Sequence, residues 1–305
     1  MAIPVQKLSA CRACGSDNID YLCSTHNEHS KTSTLDHLRC RECGTVFVGN
    51  QISSKELGEA YGTLDSTRYY AEIASENRKK METAIGHLEK LISKTAEVID
   101  LGTGNGMFVQ MLHDHGFENV SAHEIEGADL SPIAGIAKNI YQDFDYNSIP
   151  SNTFDAVTLL DVVEHVADPA YLFRTCSRIL KPGGVVYFHT PAVTKTDRFM
   201  HFVQRVPGIK KAGVIWQRGR TSVFHLQNYT PLSLTGLLEN AGFTDPDITV
   251  RNELSWSVTS YVRIYLLEKQ GLPVSLAPFI APLAYPLLST NLFNANKAIV
   301  TARKP

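Results

Sequence analysis

Several sets of residues in this sequence have the types and spacing to do chemistry. Cys11-Arg12-Ala13-Cys14-Gly15 and Cys40-Arg41-Glu42-Cys43-Gly44 are near-copies. A C-x-x-C turn points two thiolates at one ion, and two such turns complete a closed tetrahedral zinc site with no open position for catalysis. Cys23, His26, His29 and His37 lie between the pairs and read as packing or surface residues. A second set is Val98-Ile99-Asp100-Leu101-Gly102-Thr103-Gly104-Asn105-Gly106, an apolar run that ends in an acid and then glycines on alternate positions. Glycine suits a loop in which backbone must approach a ligand or adopt unusual dihedrals. A third candidate handles protons rather than ligands: His225, in Phe224-His225-Leu226-Gln227-Asn228-Tyr229. An imidazole titrating near neutrality can accept a proton from a reacting group.

The elements around these residues read as alternating strands and helices. Val98–Leu101 is a buried strand, and Met107 to His113 is the helix that follows the glycine turn. A second strand ends in Gly127-Ala128-Asp129-Leu130-Ser131-Pro132, where Ser131 caps a helix opened by Pro132, leaving Asp129 at the strand's carboxyl end. Ligands of open α/β sheets bind at that end. Asp143 and Asp145 precede a third apolar strand, Phe154 to Asp161, and Asp168-Pro169 starts another helix. Leu180-Lys181-Pro182-Gly183-Gly184 is a helix stop and glycine turn before a strand from Val185 to His189. Thr230-Pro231 opens a helix through Leu238, a strand surrounds Ile248 to Val250, and Ala298 to Ala302 supplies the last strand.

Composition sets outer limits. The 305 residues suffice for one large α/β domain and a small appendage, and a formal charge of -2 gives no global attraction to nucleic acid or anionic membrane. Met1 to Ala10 lacks the charged start and apolar stretch of a signal peptide, so a cytoplasmic location is expected. Cys23 and Cys176 are expected as reduced thiols. The sequence divides into a module at 1–50, a helical linker at 51–95 that carries Tyr69 and Tyr70, and a domain at 96–305. The stretch 270–296 carries no charge, but Pro273, Pro278, Pro282 and Pro286 interrupt it too often for a regular spanning helix, so a cap or dimer surface is expected.

The position three after Gly104 is Met107, which departs from the dinucleotide-binding fingerprint. The G-x-G-x-G spacing instead resembles motif I of the class I S-adenosylmethionine-dependent methyltransferases. Val162-Val163-Glu164-His165-Val166-Ala167-Asp168-Pro169 is similar to their L-E-H-x-x-D-P signature, and Leu180 to Gly184 to their L-K-P-G-G string. The resemblance runs from about Thr95 to Lys304. It implies a Rossmann-like, seven-stranded, mostly parallel sheet with an antiparallel final hairpin, beside the small zinc-binding module. Asp100, Gly102, Gly104, Gly106, Asp129, Leu130 and Asp161 are then implied at the S-adenosylmethionine site, and Glu164 and His165 near the cofactor, more often in structural roles, as second choices to His225 for the base. Asp129 is favoured for the ribose hydroxyls over Glu124 and Glu126. Asp143 or Asp145 meets the adenine amino group, and Tyr69 and Tyr70 close over the cofactor.

The cysteine module extends the resemblance toward enzymes that methylate sugars and other small biosynthetic intermediates. The stretch from Thr194 to Phe224 is too long for an ordinary connection and is expected as a lid insertion within about 192–229. Lys195, Arg198, Arg205, Lys210, Lys211, Arg218 and Arg220 fall within it, opposed only by Asp197. That excess implies an anionic acceptor, such as the diphosphate of a nucleotide-linked sugar. The competing readings are an RNA base methyltransferase, disfavoured by the near-neutral charge, and a non-catalytic cofactor-binding scaffold.

Overall fold

Three antiparallel strands open the chain: β1 (Ile19–His26), β2 (Thr34–Cys40) and β3 (Val46–Val48), with Ile19 opposite Cys40 and Arg39 opposite Val46. The computed structural model describes residues 8–26, 34–50, 66–220, 225–253, 257–268 and 271–305. Next come α1 (Ser66–Leu91), β4 (Glu97–Leu101), α2 (Met107–Asp114), β5 (Asn119–Glu124), β6 (Ile140–Gln142) and β7 (Phe154–Leu160). They are followed by α3 (Pro169–Ile179), β8 (Leu180–Pro191), α4 (Lys195–Val203), α5 (Lys210–Arg220), β9 (Gln227–Asn228), α6 (Pro231–Asn240) and β10 (Thr244–Arg251). The chain closes with α7 (Val258–Tyr261), α8 (Ala277–Ser289), α9 (Asn291–Asn294) and β11 (Lys297–Arg303).

These elements form two compact units, one of 1–51, 191–234 and 249–298, the other of 52–190, 235–248 and 299–305. The second unit is built on a seven-stranded sheet in the order β10-β11-β8-β7-β4-β5-β6. Strands β6, β5, β4, β7 and β8 pair in parallel. The edge reverses: the Gly183 amide at the start of β8 donates to the Lys304 carbonyl just past β11 at 2.8 Å. Val98, Ile99, Ala156, Val157, Val185 and Val186 are fully buried, as strands covered on both faces require. Ala84, Ile85 and Leu88 of α1 and Phe108, Val109 and Leu112 of α2 supply part of that cover.

Three local expectations need correction. The second strand ends at Glu124, not at Asp129, and Asp129 is exposed five residues further on. Ser131-Pro132 opens only a three-residue 3-10 turn with no side-chain cap, and the Asp129 carboxylate accepts from the Ser131 amide at 3.0 Å. Leu180 to Gly184 belongs to β8 itself, where a register shift between Phe154 and Ala156 absorbs the glycines.

In the first unit β9 joins the opening strands, giving the sheet order β1-β2-β3-β9. The 192–229 segment, expected as an insertion of the methyltransferase domain, falls in this unit with the cysteine module and the uncharged stretch. Trp216 of α5 packs with Tyr261, Val262, Leu267, Ala277, Ala281 and Leu288. Helix α8 contains Pro282 and Pro286 and exposes Phe279 and Leu283. No helix among the described residues is long and apolar enough to cross a membrane.

Asp197 ties α4 to α5. Its backbone and side chain form a capping box with Thr194, and its carboxylate accepts from Trp216 Nε1 at 2.7 Å and Arg220 Nε at 3.0 Å. Arg220 is therefore already neutralised inside this unit, which removes it from the cations expected to meet an acceptor. Burial works to raise the Asp197 pKa, but Arg220, the Thr194 amide and Trp216 outweigh it and hold the carboxyl below its ordinary value. That contribution to stability is complete above the unfolded pKa of about 4 and disappears as pH falls through the lower folded value. Asp197→Ala should cost about 3–5 kcal/mol in urea denaturation, because it strands a buried guanidinium. The deficit relative to wild type should shrink below about pH 4.

Candidate active site and cysteine cluster

The glycine loop and the acids around it lie where the parallel strands of the second unit end. Gly102, Gly104 and Gly106 all have left-handed backbones, with φ of 71°, 61° and 80°. A Cβ on Gly102 would stand 2.7 Å from Val162 Cγ2, and one on Gly106 would enter Ile133. The loop after β4 is thus closed to side chains on the protein's side.

Glu124 fastens this loop to the next strand. One carboxylate oxygen accepts from the Gly104 amide at 2.7 Å and the other from the Ile125 amide at 2.9 Å. It holds the strand-end place that sequence reasoning assigned to Asp129. The available signal was its position three residues before Gly127, which the apparent Ser-Pro helix start obscured. Asp100 is buried beneath the loop, accepts from Thr158 Oγ1 at 2.6 Å and is pushed up to about 7 by burial. It anchors β4 to β7. Leu130 is buried in the core against which the loop packs.

Asp143 directly follows β6 and accepts from the Tyr146 amide at 2.6 Å, with His123 Nε2 3.2 Å away. Asp145 is exposed, and its carboxylate pairs with Asn147. Asp161 directly follows β7 in a left-handed conformation, φ 58°, with Lys80 Nζ 3.8 Å from its carboxylate. Tyr69 and Tyr70 belong to α1, but their side chains lie outside the described residues.

Glu164 is fully buried in the loop after β7, two residues beyond the Val162 that packs on Gly102. Thr190 Oγ1 donates to Oε2 at 2.9 Å, while Oε1 has no hydrogen-bond partner among the described residues. Burial pushes this carboxyl up to about 7, against the Glu164 backbone and Thr190 hydrogen bonds that favour the anion. Its neighbour His165 is half-buried.

In the first unit the four cysteine sulfurs Cys11, Cys14, Cys40 and Cys43 lie within 4.8 Å of one another. Cys11 and Cys43 are 3.7 Å apart, Cys14 and Cys40 3.5 Å. Tetrahedral zinc with Zn–S bonds of about 2.3 Å would set its sulfurs about 3.8 Å apart, so the donor set fits that ion. Each knuckle closes alike, with Gly15 and Gly44 left-handed and donating to the Cys11 and Cys40 carbonyls at 2.9 and 3.1 Å. His37 stands apart from the cluster, paired with Thr25 at 2.9 Å, and burial holds its pKa down to about 4.

The second knuckle also positions the segment of His225. Thr230 Oγ1 donates to the Cys43 carbonyl at 2.6 Å, the Val48 amide donates to the Leu226 carbonyl at 2.8 Å, and β9 pairs with β3. His225, half-buried, is the residue before Leu226. Sequence reasoning missed this link, because nothing local to either segment announces a pairing across some 180 residues.

Residues 70–246 match a family model described as a methyltransferase domain. The chain belongs to this methyltransferase domain family. Its seven-stranded sheet is the class I S-adenosylmethionine-dependent methyltransferase fold. The methyltransferase is 28% identical over 163 residues to a ubiquinone biosynthesis O-methyltransferase of Xanthomonas oryzae pv. oryzae, covering 50% of this chain and 65% of that one. A Coxiella burnetii protein of the same name is 25% identical over 173 residues, covering 53% and 69%. The chain thus spans about two thirds of the length of these relatives.

Among solved structures, Haemonchus contortus phosphoethanolamine N-methyltransferase 2, solved with phosphomonomethylethanolamine and S-adenosylhomocysteine, superposes with a TM-score of 0.51 at 14% identity, covering 93% of this chain and 72% of that one. A candidate sarcosine dimethylglycine methyltransferase from Galdieria sulphuraria gives 0.51 at 19% identity, covering 79% and 98%. These likenesses concern the fold.

Calorimetric titration separates the competing acids: Glu124→Ala should weaken S-adenosylmethionine binding by about 1.5–3 kcal/mol, and Asp129→Ala by no more than about 0.5 kcal/mol. Metal analysis should find zinc in the purified chain. Replacing Cys40 and Cys43 by Ser together should abolish that zinc and lower the melting temperature of the first unit before that of the second.

Proposed function

We propose that this methyltransferase transfers a methyl group from S-adenosylmethionine to a hydroxyl of a small-molecule acceptor, with Glu164 as the base. The supporting observation is the Glu164 carboxyl: fully buried, with one oxygen unpaired among the described residues, and titrating near neutrality in the loop packed on Gly102. The cofactor supplies an electrophilic methyl on a sulfonium leaving group. The glycine loop and Glu124 hold the adenosyl portion, Asp143 or Asp145 its adenine, and Asp100 keeps the loop's root fixed. With the methyl already activated, alignment supplies much of the acceleration. The ionised Glu164 takes the hydroxyl proton as the oxygen attacks, a step worth typically 10²–10⁴-fold. The O-methyltransferase names of the relatives support an oxygen acceptor. Lys195, Arg198, Lys210 and Lys211 support an anionic acceptor, such as a nucleotide-linked sugar, the near-neutral charge of the chain disfavours an RNA base, and the C-x-x-C pairs suit a cytoplasmic setting.

His225 is the second reading for the base, supported by its placement beside β9 on the cysteine module. His165 follows as the neighbour of Glu164.

Because the folded Glu164 pKa lies above its unfolded value, the native state holds the extra proton, and stability falls as pH rises between about 4.5 and 7. Glu164→Gln should therefore be more stable than wild type at pH 8. It should also keep its cofactor affinity, lose about 10²-fold or more in kcat and lose the rise of activity through pH 7. If His225→Ala shows that kinetic pattern instead, His225 is the base. A pH-independent wild type would exclude both.

A further inference from the structure

Helix α8 has no polar side. Ala277, Ala281 and Leu288 pack into the cluster around Trp216, while Phe279, Pro282, Leu283, Tyr285 and Pro286 face solvent. Phe279 is 75% exposed and Leu283 79%. A helix that is apolar all round belongs inside a protein or against lipid. Its flanks continue the pattern: Leu272, Val274, Leu276 and Leu292 are exposed as well, and no charge falls anywhere in 271–296.

Helix α4 of the same unit carries a matching stripe. Lys195, Arg198, Phe199 and Phe202 recur at i, i+3, i+4 and i+7, which places them on one side of the helix, and all four are exposed. Asp197, His201 and Val203 are its buried positions, so the solvent-facing stripe is the one that holds the two aromatic rings. Lys195 and Arg198 form no ion pair among the described residues, and the one acid of α4, Asp197, is buried against Arg220. The two helices meet where Thr196 Oγ1 donates to the Phe293 carbonyl at 3.0 Å, just past α8. Phe199 lies one turn on from Thr196 on that same side, so the stripe of α4 runs up to the exposed Leu292 and Phe293.

We propose that this face docks the chain on an anionic lipid surface, with α8 lying in the plane of the interface, Phe199, Phe202 and Phe279 among the acyl chains, and Lys195 and Arg198 on headgroup phosphates. Aromatic rings beside cations with long apolar stems are the side chains that such an interface accepts. The 13 residues of α8 extend about 20 Å, short of the about 30 Å of a hydrocarbon core. Pro282 and Pro286 each withdraw a backbone donor, a defect tolerated where water reaches the helix. A second copy fits the face less well. Two-fold pairing would set its cations against one another, with no exposed carboxylate on α4 or in 271–296 to answer them. The inference shares Lys195 and Arg198 with the proposed function and requires neither Glu164 nor the identity of the methylated atom.

The test is co-sedimentation of the full chain with phosphatidylcholine vesicles, with and without phosphatidylglycerol. The wild type should bind the vesicles that hold phosphatidylglycerol, and added salt should weaken that binding. Phe279→Ser with Leu283→Ser should weaken it at least tenfold, and so should Lys195→Ala with Arg198→Ala. All four side chains are exposed, so zinc content and melting temperature should stay at their wild-type values and verify that each variant is folded. No binding to either vesicle, or binding indifferent to either double variant, overturns the docking face. Dimerisation of the wild type without vesicles in sedimentation velocity, lost in Phe279→Ser with Leu283→Ser and unaccompanied by vesicle binding, assigns the face to a second copy and overturns the lipid assignment. A wild type that binds cofactor and transfers methyl but ignores the vesicles leaves the proposed function standing and the docking face refuted.

Discussion

The active site depends on one constraint, the sharp exit of the chain from β4. Three left-handed residues must turn the backbone over the carboxyl end of the sheet while a neighbouring side chain holds the turn in place. Glu124 does this by accepting from the Gly104 amide, so the acid at the second strand's end is both a fastening for the loop and the candidate ribose partner. Val162 and Ile133 fill the space that Cβ atoms on Gly102 and Gly106 would need, which couples the loop to β7's exit and to the turn after β5.

Two buried carboxyls show how environment separates structure from chemistry. Asp197 meets a guanidinium, an indole N–H and a backbone amide, and stays ionised although fully enclosed. Glu164 receives one hydroxyl and otherwise faces burial, which drives it toward neutrality. The first arrangement ties helices together and leaves no capacity for proton exchange. The second raises the carboxyl to about 7, the range that its proposed role as base needs. Both cost desolvation; only the pairing differs.

The cysteine cluster has a comparable double effect. Closed tetrahedral ligation would leave no open position for chemistry. Yet the carbonyl of Cys43 receives the hydroxyl of Thr230, and β3 receives β9, so the segment that begins at His225 takes its place from the cysteine module's backbone. Metal binding in a module of this size can thereby bear on residues nearly two hundred positions away.

Local chemistry in the sequence determined much of this molecule. Paired C-x-x-C turns specify a four-sulfur cluster because each knuckle carries its own geometry. The alternating glycines after an apolar strand specify the loop because only glycine tolerates those dihedrals beside Val162 and Ile133. The apolar runs at Val98 and Phe154 specify buried parallel strands. Tertiary structure decided what depends on partners remote in sequence. Glu124 rather than Asp129 stands at the carboxyl end of β5, because strand pairing, not the Ser131-Pro132 signal, sets where that strand ends. Arg220 left the set of candidate ligand cations because Asp197 lies across from it on another helix. The 192–229 segment, which reads as an insertion in the domain it interrupts, instead packs with the cysteine module. Its edge strand, apolar faces and buried ion pair are satisfied by surfaces that no local pattern reveals.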